Sequence, residues 1–314
     1  MAPVAIGTLG EGLLEVGVFP ALPEEFLGRG YGGDASNVAV MSARLGARAR
    51  LITRLGDDAA GRLLFEFWQA AGVDTASVEV EAGAATGLYL NERRSDGGHT
   101  FSYHRAGSAA SHISPADVEG LPVEELDVLH VSGITLAISA SAAATADLAV
   151  RRARAAGVPV SFAVNFRSQL DPDRGRLAAI ARSADILFIS DDDAEALFGV
   201  RAPGELLDAL GLRRGETVIT RGPDPAWAVT AEGVVKLAPP RVEVVDTAGA
   251  GDALAGAYLA TRLGGADPRG ALAHGVAAAA LSCRSSGCAG SYPSAAEVGA
   301  AAALLVAPQD GALR

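Results

Sequence analysis

Asp246-Thr247-Ala248-Gly249-Ala250-Gly251-Asp252 is the segment of this chain best equipped for chemistry. It follows an apolar VEVV run and opens a helical one, ALAGAYLATRL. The small residues from Ala248 to Gly251 let several backbone N–H groups crowd one spot at a helix start. The helix dipole there also favours an anion, phosphate above all. Asp252 falls in the first turn, beside that spot. A carboxylate next to phosphate suits a general base that takes a proton from a hydroxyl as it attacks phosphorus. It equally suits an acidic complement to the dipole, and the segment alone leaves both roles open. A second segment, Gly32-Gly33-Asp34-Ala35-Ser36-Asn37, also leads into a helical run. Its glycines admit positive φ and the close approach of a ligand. Asn37 has donors and an acceptor for hydroxyl groups. Taken alone, the segment reads more simply as a loop with a capping Asn.

These segments need a scaffold, and the chain alternates short apolar runs with longer Ala-rich stretches. That is the rhythm of βαβ units. Strands are expected at residues 3–9, 50–55, 128–131, 158–164, 186–189 and 217–220. Helices are expected at 37–45, 61–71, 140–156, 203–210 and 295–306, the last followed by a frayed tail. A parallel sheet covered by helices on both faces packs such units best. Residues 12–19 and 86–104 depart from this rhythm and alternate apolar with polar, with a turn signal at Ser95-Asp96-Gly97-Gly98. The second reads as an antiparallel hairpin. Together they pair into a small sheet, either a lid over a site or an edge ornament.

Composition narrows the function. The 314 residues are 49% hydrophobic and carry a net charge of −11, which argues against disorder and against a nucleic-acid surface. Aromatic residues make up 5%, too few for a platform that stacks single strands. Cys283 and Cys288 lack the partners for a zinc site and read as ordinary thiols in a reducing compartment. The five histidines show no metal spacing and read as hairpin, loop or core residues. The N-terminus lacks a basic secretory region. The uncharged run 129–146 reads as a buried strand and a helix start rather than a membrane span. A cytoplasmic protein is expected. Lys236 is the only lysine, so anions must be met by arginine, backbone amides or metal. A Walker-type nucleotide loop is absent.

Read together, the two glycine segments resemble the paired signatures of the PfkB carbohydrate kinase family, also called ribokinase-like. The first match is Gly32-Gly33-x-Ala35-x-Asn37-x-Ala39, with Gly46 and Gly56 at later spacing. The second is DTAGAGD with Gly256-Ala257 behind it, about 210 residues further on. The resemblance runs from the first strand to the Ala-rich helix at 271–282. It implies an α/β, three-layer α/β/α domain spanning residues 1–314, with a mainly parallel central sheet. It also implies a β lid formed by about 12–33 and 77–106.

Intermediate stretches resemble the 2-keto-3-deoxygluconate kinases of that family: Thr86-Gly87-Leu88-Tyr89, Tyr103 to Ala109, His130 to Ile134, and Val164-Asn165-Phe166-Arg167. The resemblance implies ATP with Mg2+ as cofactors and a sugar acid as substrate, held by Gly33, Asn37, Tyr89, Tyr103, Arg105 and Arg167. It implies Asp252 as general base, with Gly249, Ala250 and Gly251 at the transferring phosphoryl group. Nucleotide contacts fall to Ser190, Thr220, Gly222, Ala248, Gly249, Gly251 and His274, and a water-mediated metal contact to Asp193. Arg105 and Arg167 would be costly as lone unpaired charges, and a substrate carboxylate offsets that cost.

The chain departs from the pattern at three places. Ala163 stands where these kinases often have Asp, Ser190-Asp191-Asp192-Asp193 stands for Asn-x-x-Glu, and His274 stands for an adenine-side Asn. Glu15 lies near where kinases of neutral sugars, fructose or ribose, place an acid, so that substrate class stays open. A silent sugar-binding protein on the same scaffold is the third alternative. A homodimer or higher homo-oligomer, the dimer sealed through the lid, is a family-level expectation. Ser285, Ser286 and Gly287 are compatible with a monovalent cation near Asp246.

Overall fold

The computed structural model describes residues 2–18, 28–93, 99–211 and 215–307. Its strands are β1 (Ala5–Leu9), β2 (Leu13–Val18), β3 (Gly28–Gly32), β4 (Arg48–Gly56), β5 (Asp74–Glu81), β6 (Leu88–Arg93), β7 (His99–His104), β8 (Val128–Ser132), β9 (Val160–Ala163), β10 (Ile186–Ser190), β11 (Glu216–Arg221), β12 (Asp224–Thr230) and β13 (Gly233–Leu237). Its helices are α1 (Asp34–Arg44), α2 (Ala59–Ala70), α3 (Ala116–Glu119), α4 (Ala140–Ala155), α5 (Arg174–Ser183), α6 (Asp191–Phe198), α7 (Pro203–Leu210), α8 (Ala250–Leu263), α9 (Pro268–Ser282) and α10 (Ala295–Val306).

Nine strands form the large sheet in the order β13-β12-β11-β10-β9-β8-β1-β4-β5. All neighbours from β11 to β5 are parallel, and β12 and β13 close one end antiparallel. Period-two burial explains the layering, because successive side chains on a strand point to opposite faces. Ile186 and Phe188 of β10 join a core with α1, α2, α8, α9 and α10, while Leu187 and Ile189 join the opposite core with α3 to α7. The result is the expected α/β/α arrangement, a mainly parallel sheet with helices on both faces.

A four-stranded sheet stands apart, in the order β3-β2-β6-β7. The two alternating stretches do meet: β2 runs parallel to β6, and β3 and β7 flank them antiparallel. Residues 77–81, expected in the lid, belong instead to β5 at the edge of the large sheet. The Ser95-Asp96-Gly97-Gly98 turn, part of the first lid stretch (19–27) and the tail from 308 lie outside the described residues.

Two boundaries matter for the site. Helix α1 starts at Asp34, three residues earlier than expected, with Gly33 at φ 92° leading into it. Asn37 is therefore inside the first turn and not a cap, and its side chain is free for a distant partner. The run 129–146 resolves into β8, a buried turn and the start of α4, which Ser139 caps. Among the described residues no helix is long and apolar enough to cross a membrane.

Candidate active site

The DTAGAGD turn lies against the start of α1. Gly249 adopts the left-handed conformation (φ 75°) that begins α8, and Tyr292 Oη donates to its carbonyl at 2.7 Å. Asp252 follows in the first turn of α8. Asn37 Nδ2 donates to its Oδ2 at 2.8 Å, and Asn165 Nδ2 donates to its Oδ1 at 3.2 Å. Asn165 itself sits at φ 41°, a left-handed conformation in which an ordinary L-residue is strained. Burial, helped by the nearby Asp34 carboxylate, pushes Asp252 up to about 6, while the two amides and Arg167 pull the other way. A carboxylate so placed is oriented at both oxygens and basic enough to take a proton near neutrality.

The amides beside it are not equivalent. Ala248 donates to Asp246 Oδ1 at 2.9 Å and Ala250 to the Thr247 carbonyl at 3.2 Å. Within the turn, the N–H groups of Gly249 and Gly251 have no acceptor among the described residues and are left open for an anion, a narrower set than expected. A Cβ at Gly251 would meet nothing within 4 Å, so the turn faces open space.

Around Asp252 gather more charged groups. Asp34, buried at the start of α1, accepts from the Ser132 hydroxyl at the end of β8, and its Oδ1 has no hydrogen-bond partner among the described residues. Glu11, just beyond β1, is 1% exposed and pairs with Arg105 Nη1. Arg105 was expected as a lone cation awaiting a substrate carboxylate; it has an internal partner instead. Its guanidinium also lies 4.3 Å from the centroid of the Tyr103 ring. Arg167 differs: it is exposed and donates only to the carbonyl of Phe166 at 2.9 Å, with no ion pair among the described residues. Its charge is felt at Asp34, Asp252 and Tyr103, so it lies within electrostatic reach of all three.

The two tyrosines part company. Tyr103 is 43% exposed on β7 and stays available to a ligand. Tyr89 is 3% exposed, and its hydroxyl donates to Glu15 Oε2 at 2.7 Å beside Cys288 Sγ at 3.2 Å. The sugar contact expected of Tyr89 is therefore corrected: its hydroxyl is engaged inside the seam between the sheets. Glu15 is likewise taken up, since Asn91 Nδ2 donates to its Oε1 at 2.8 Å. Asp246 extends the same seam by accepting from Gly287 N at 3.0 Å.

The remaining expected contacts line the carboxyl ends of the central strands, the usual place for ligands in parallel α/β sheets. Ser190 and Thr220 end β10 and β11 in register with each other. Gly222 is exposed in the turn beyond, and His274 is half-buried on α9, its Nδ1 paired with the Gly270 carbonyl at 2.8 Å. Asp193 is not poised for a metal. Its Oδ1 accepts from Phe166 N at 2.8 Å and its Oδ2 from Ser190 N at 3.2 Å, while Ser190 Oγ accepts from Asp193 N. This capping box starts α6 and pins the loop that carries Asn165 and Arg167. Among the described residues no three His, Cys, Asp or Glu side chains gather to hold a metal.

The family model described as pfkB family carbohydrate kinase matches residues 24–295. The chain belongs to the pfkB family of carbohydrate kinases. It is an ATP-dependent kinase of sugars. It is 34% identical to the 2-dehydro-3-deoxygluconokinase of Thermoproteus tenax over 291 residues, 89% of this chain and 88% of the relative. It is 35% identical to the aminoimidazole riboside kinase of Salmonella typhimurium over 235 residues, 73% of each. The fructokinase of Xylella fastidiosa, solved with bound ATP, superposes with a TM-score of 0.83 at 26% identity, over 93% of this chain and 96% of that one.

In this kinase the structure brings together Gly33, Asn37, Gly249, Gly251, Asp252 and Arg167, all named from the sequence. It adds Asn165, Asp34 and Glu11. Asn165 stood in a run already noticed, but only its left-handed backbone turns its amide to Asp252. Glu11 and Asp34 had no local signal, since the partner of Glu11 lies 94 residues away and that of Asp34 lies 98 away.

Proposed function

We propose that this kinase phosphorylates a sugar acid, 2-keto-3-deoxygluconate, on its 6-hydroxyl. The observation that carries the reading is Arg167, an exposed guanidinium with no counter-ion among the described residues and within electrostatic reach of the general base. Such a cation suits a substrate carboxylate, which accepts from the planar fork in two places. Arg105 adds a second guanidinium, whose Nε and Nη2 donate to no described residue. The acid that would mark a neutral-sugar site, Glu15, is 3% exposed and bound on both oxygens. The likeness to the Thermoproteus enzyme supports the same substrate class.

In this reading Asp252 takes the proton of the 6-hydroxyl, held in aim by Asn37 and Asn165. The open N–H groups of Gly249 and Gly251 meet the charge that develops on the phosphoryl group. Tyr103 and Arg105 approach from the small sheet, which acts as a lid and keeps water from the transferring group. ATP supplies the phosphoryl group. Among the described residues no carboxylates gather into a magnesium cage, which suits a metal that would be bound mainly through nucleotide phosphates. We place the enzyme in the cytoplasm as a homodimer joined through the small sheet. The unpaired thiols of Cys283 and Cys288 and the exposed Phe101 and Tyr103 on edge strand β7 support that placement.

The test is ADP release across a panel of sugar acids and neutral sugars, with the native enzyme and Arg167→Ala. The sugar acid is expected to be preferred. Arg167→Ala is expected to lower kcat/KM for it by about tenfold or more, the worth of a charged hydrogen bond, and to spare a neutral sugar. Preference for a neutral sugar, untouched by the substitution, overturns the substrate assignment.

A further inference from the structure

Glu11 lies at the carboxyl end of β1 in the large sheet, and Arg105 follows β7 in the small one. Their ion pair ties the two sheets together. Both side chains are buried, at 2% exposure for Glu11 and 9% for Arg105. Only one nitrogen of Arg105, Nη1, is engaged by Glu11. The face of the guanidinium rests on the Tyr103 ring.

We infer that Glu11 is a positioning residue for sugar-acid recognition, gripping Nη1 of Arg105 so that the opposite edge of the guanidinium is presented to the substrate carboxylate. The inference rests on the sugar-acid reading above. An arginine side chain has many rotamers, and fixing it only when substrate arrives is entropically costly. A guanidinium is planar with its five N–H groups in fixed directions. One gripped nitrogen and one stacked face therefore set where Nε and Nη2 point. Neither of these donates to a described residue, and neither is sealed off as a buried orphan.

A second carboxylate on the same guanidinium raises the question of repulsion. Burial, together with neighbouring Asp34, pushes Glu11 up to about 7 against the pull of Arg105. Near neutrality Glu11 is thus only partly charged, and it repels an incoming anion weakly. What it contributes is an acceptor oxygen at a fixed place. A neutral acceptor of the same length should serve nearly as well, and a shorter acid should not.

The experiment compares Glu11→Asp, Glu11→Gln, Arg105→Ala and Glu11→Asp combined with Arg105→Ala. KM and kcat are measured for 2-keto-3-deoxygluconate and for a neutral sugar, with thermal melts to confirm folding. Glu11→Asp, which withdraws the oxygen, is expected to raise KM for the sugar acid about tenfold and to change kcat by less than about twofold. Glu11→Gln is expected to recover KM to within about threefold of the native value. The combined variant is expected to match Arg105→Ala alone, because Glu11 acts only through Arg105. The inference is overturned if Glu11→Asp leaves KM unchanged, if its loss falls on kcat or equally on the neutral sugar, or if it adds fully to Arg105→Ala. Should Glu11→Asp fail to fold, Glu11→Ala takes its place: an unchanged KM for the sugar acid overturns the inference, and a rise in KM that Glu11→Gln does not share supports it. A native enzyme that ignores sugar acids removes the substrate reading and this inference together. A preserved preference with inert Glu11 variants removes the inference only.

Discussion

The amide of Asn37 and the carboxylate of Asp252 are 215 residues apart in the chain and 2.8 Å apart in the structure. The bond joins the first turn of α1 to the first turn of α8, and Asn165 completes the grip from a third element. A carboxylate held at both oxygens has one job left for its remaining lone pairs. Asp252→Asn keeps the shape and removes the proton acceptor. It is expected to lower kcat by about two orders of magnitude or more, with KM and the melting temperature little changed. Near-native turnover in steady-state assays defeats the base assignment.

The same environment sets a pH dependence. Asp252 is raised to about 6, mainly by burial and then by Asp34. A base works only when ionised, so with Asp252 in that proposed role kcat is expected to fall as pH drops through about 6. Asp34→Asn removes one repelling charge and should move that limb to lower pH. A kcat profile for both proteins over the acid range checks the direction.

Glu11 contributes a stability trend of the same origin. Its folded value, about 7, lies above the ordinary 4.5. The folded state therefore holds the proton more tightly than the unfolded chain does. Its contribution is fully present below the ordinary value and is lost as pH rises toward 7. Melting temperatures taken from about pH 4.5 to about pH 7 are expected to decline in the native protein and to decline less in Glu11→Gln. Parallel declines rule the assignment out.

Gly249→Ala probes the turn directly. Its φ of 75° is left-handed, and a Cβ there would lie 2.8 Å from Tyr292 Oη. The conformation alone costs about 1–2 kcal/mol for an L-residue. Displacing Tyr292 also shifts the open amides. Denaturant midpoint and kcat are both expected to drop.

Tyr89→Phe separates packing from binding. The variant deletes a buried donor to Glu15 and leaves that acceptor with Asn91 alone. A stability loss of about 1–3 kcal/mol is expected, with KM for the sugar nearly constant. A large KM change with unchanged stability returns Tyr89 to the substrate.

The layers of this fold were legible because its strands announce themselves: ILFI in β10 is short and apolar, and TVIT in β11 is short and β-branched. β5 was missed because DTASVEVE is an edge strand with much of its length open to solvent, so it lacks a continuous apolar run. The glycine segments were legible because few residue types tolerate their geometry. Arg167 has no ion pair among the described residues, as a cation awaiting a carboxylate requires, whereas Arg105 has one. The distinction rests on Glu11, which neighbours Arg105 only once two sheets have formed. Tyr89 and Asp193 erred for the same reason: a polar group whose needs are met inside the fold is written no differently from one that awaits a ligand.

Gly33 gives the last of these relationships a mechanical side. It is the sole joint between β3 of the small sheet and α1, and a Cβ on it would lie 2.4 Å from the Glu11 carbonyl oxygen. Asn37 is one helical turn downstream, and its N–H donates to the Gly33 carbonyl at 2.8 Å. On the proposed reading of the small sheet as a lid, a movement of that sheet reaches the Asn37–Asp252 hydrogen bond through Gly33, so entry to the site and the aim of its carboxylate are mechanically coupled.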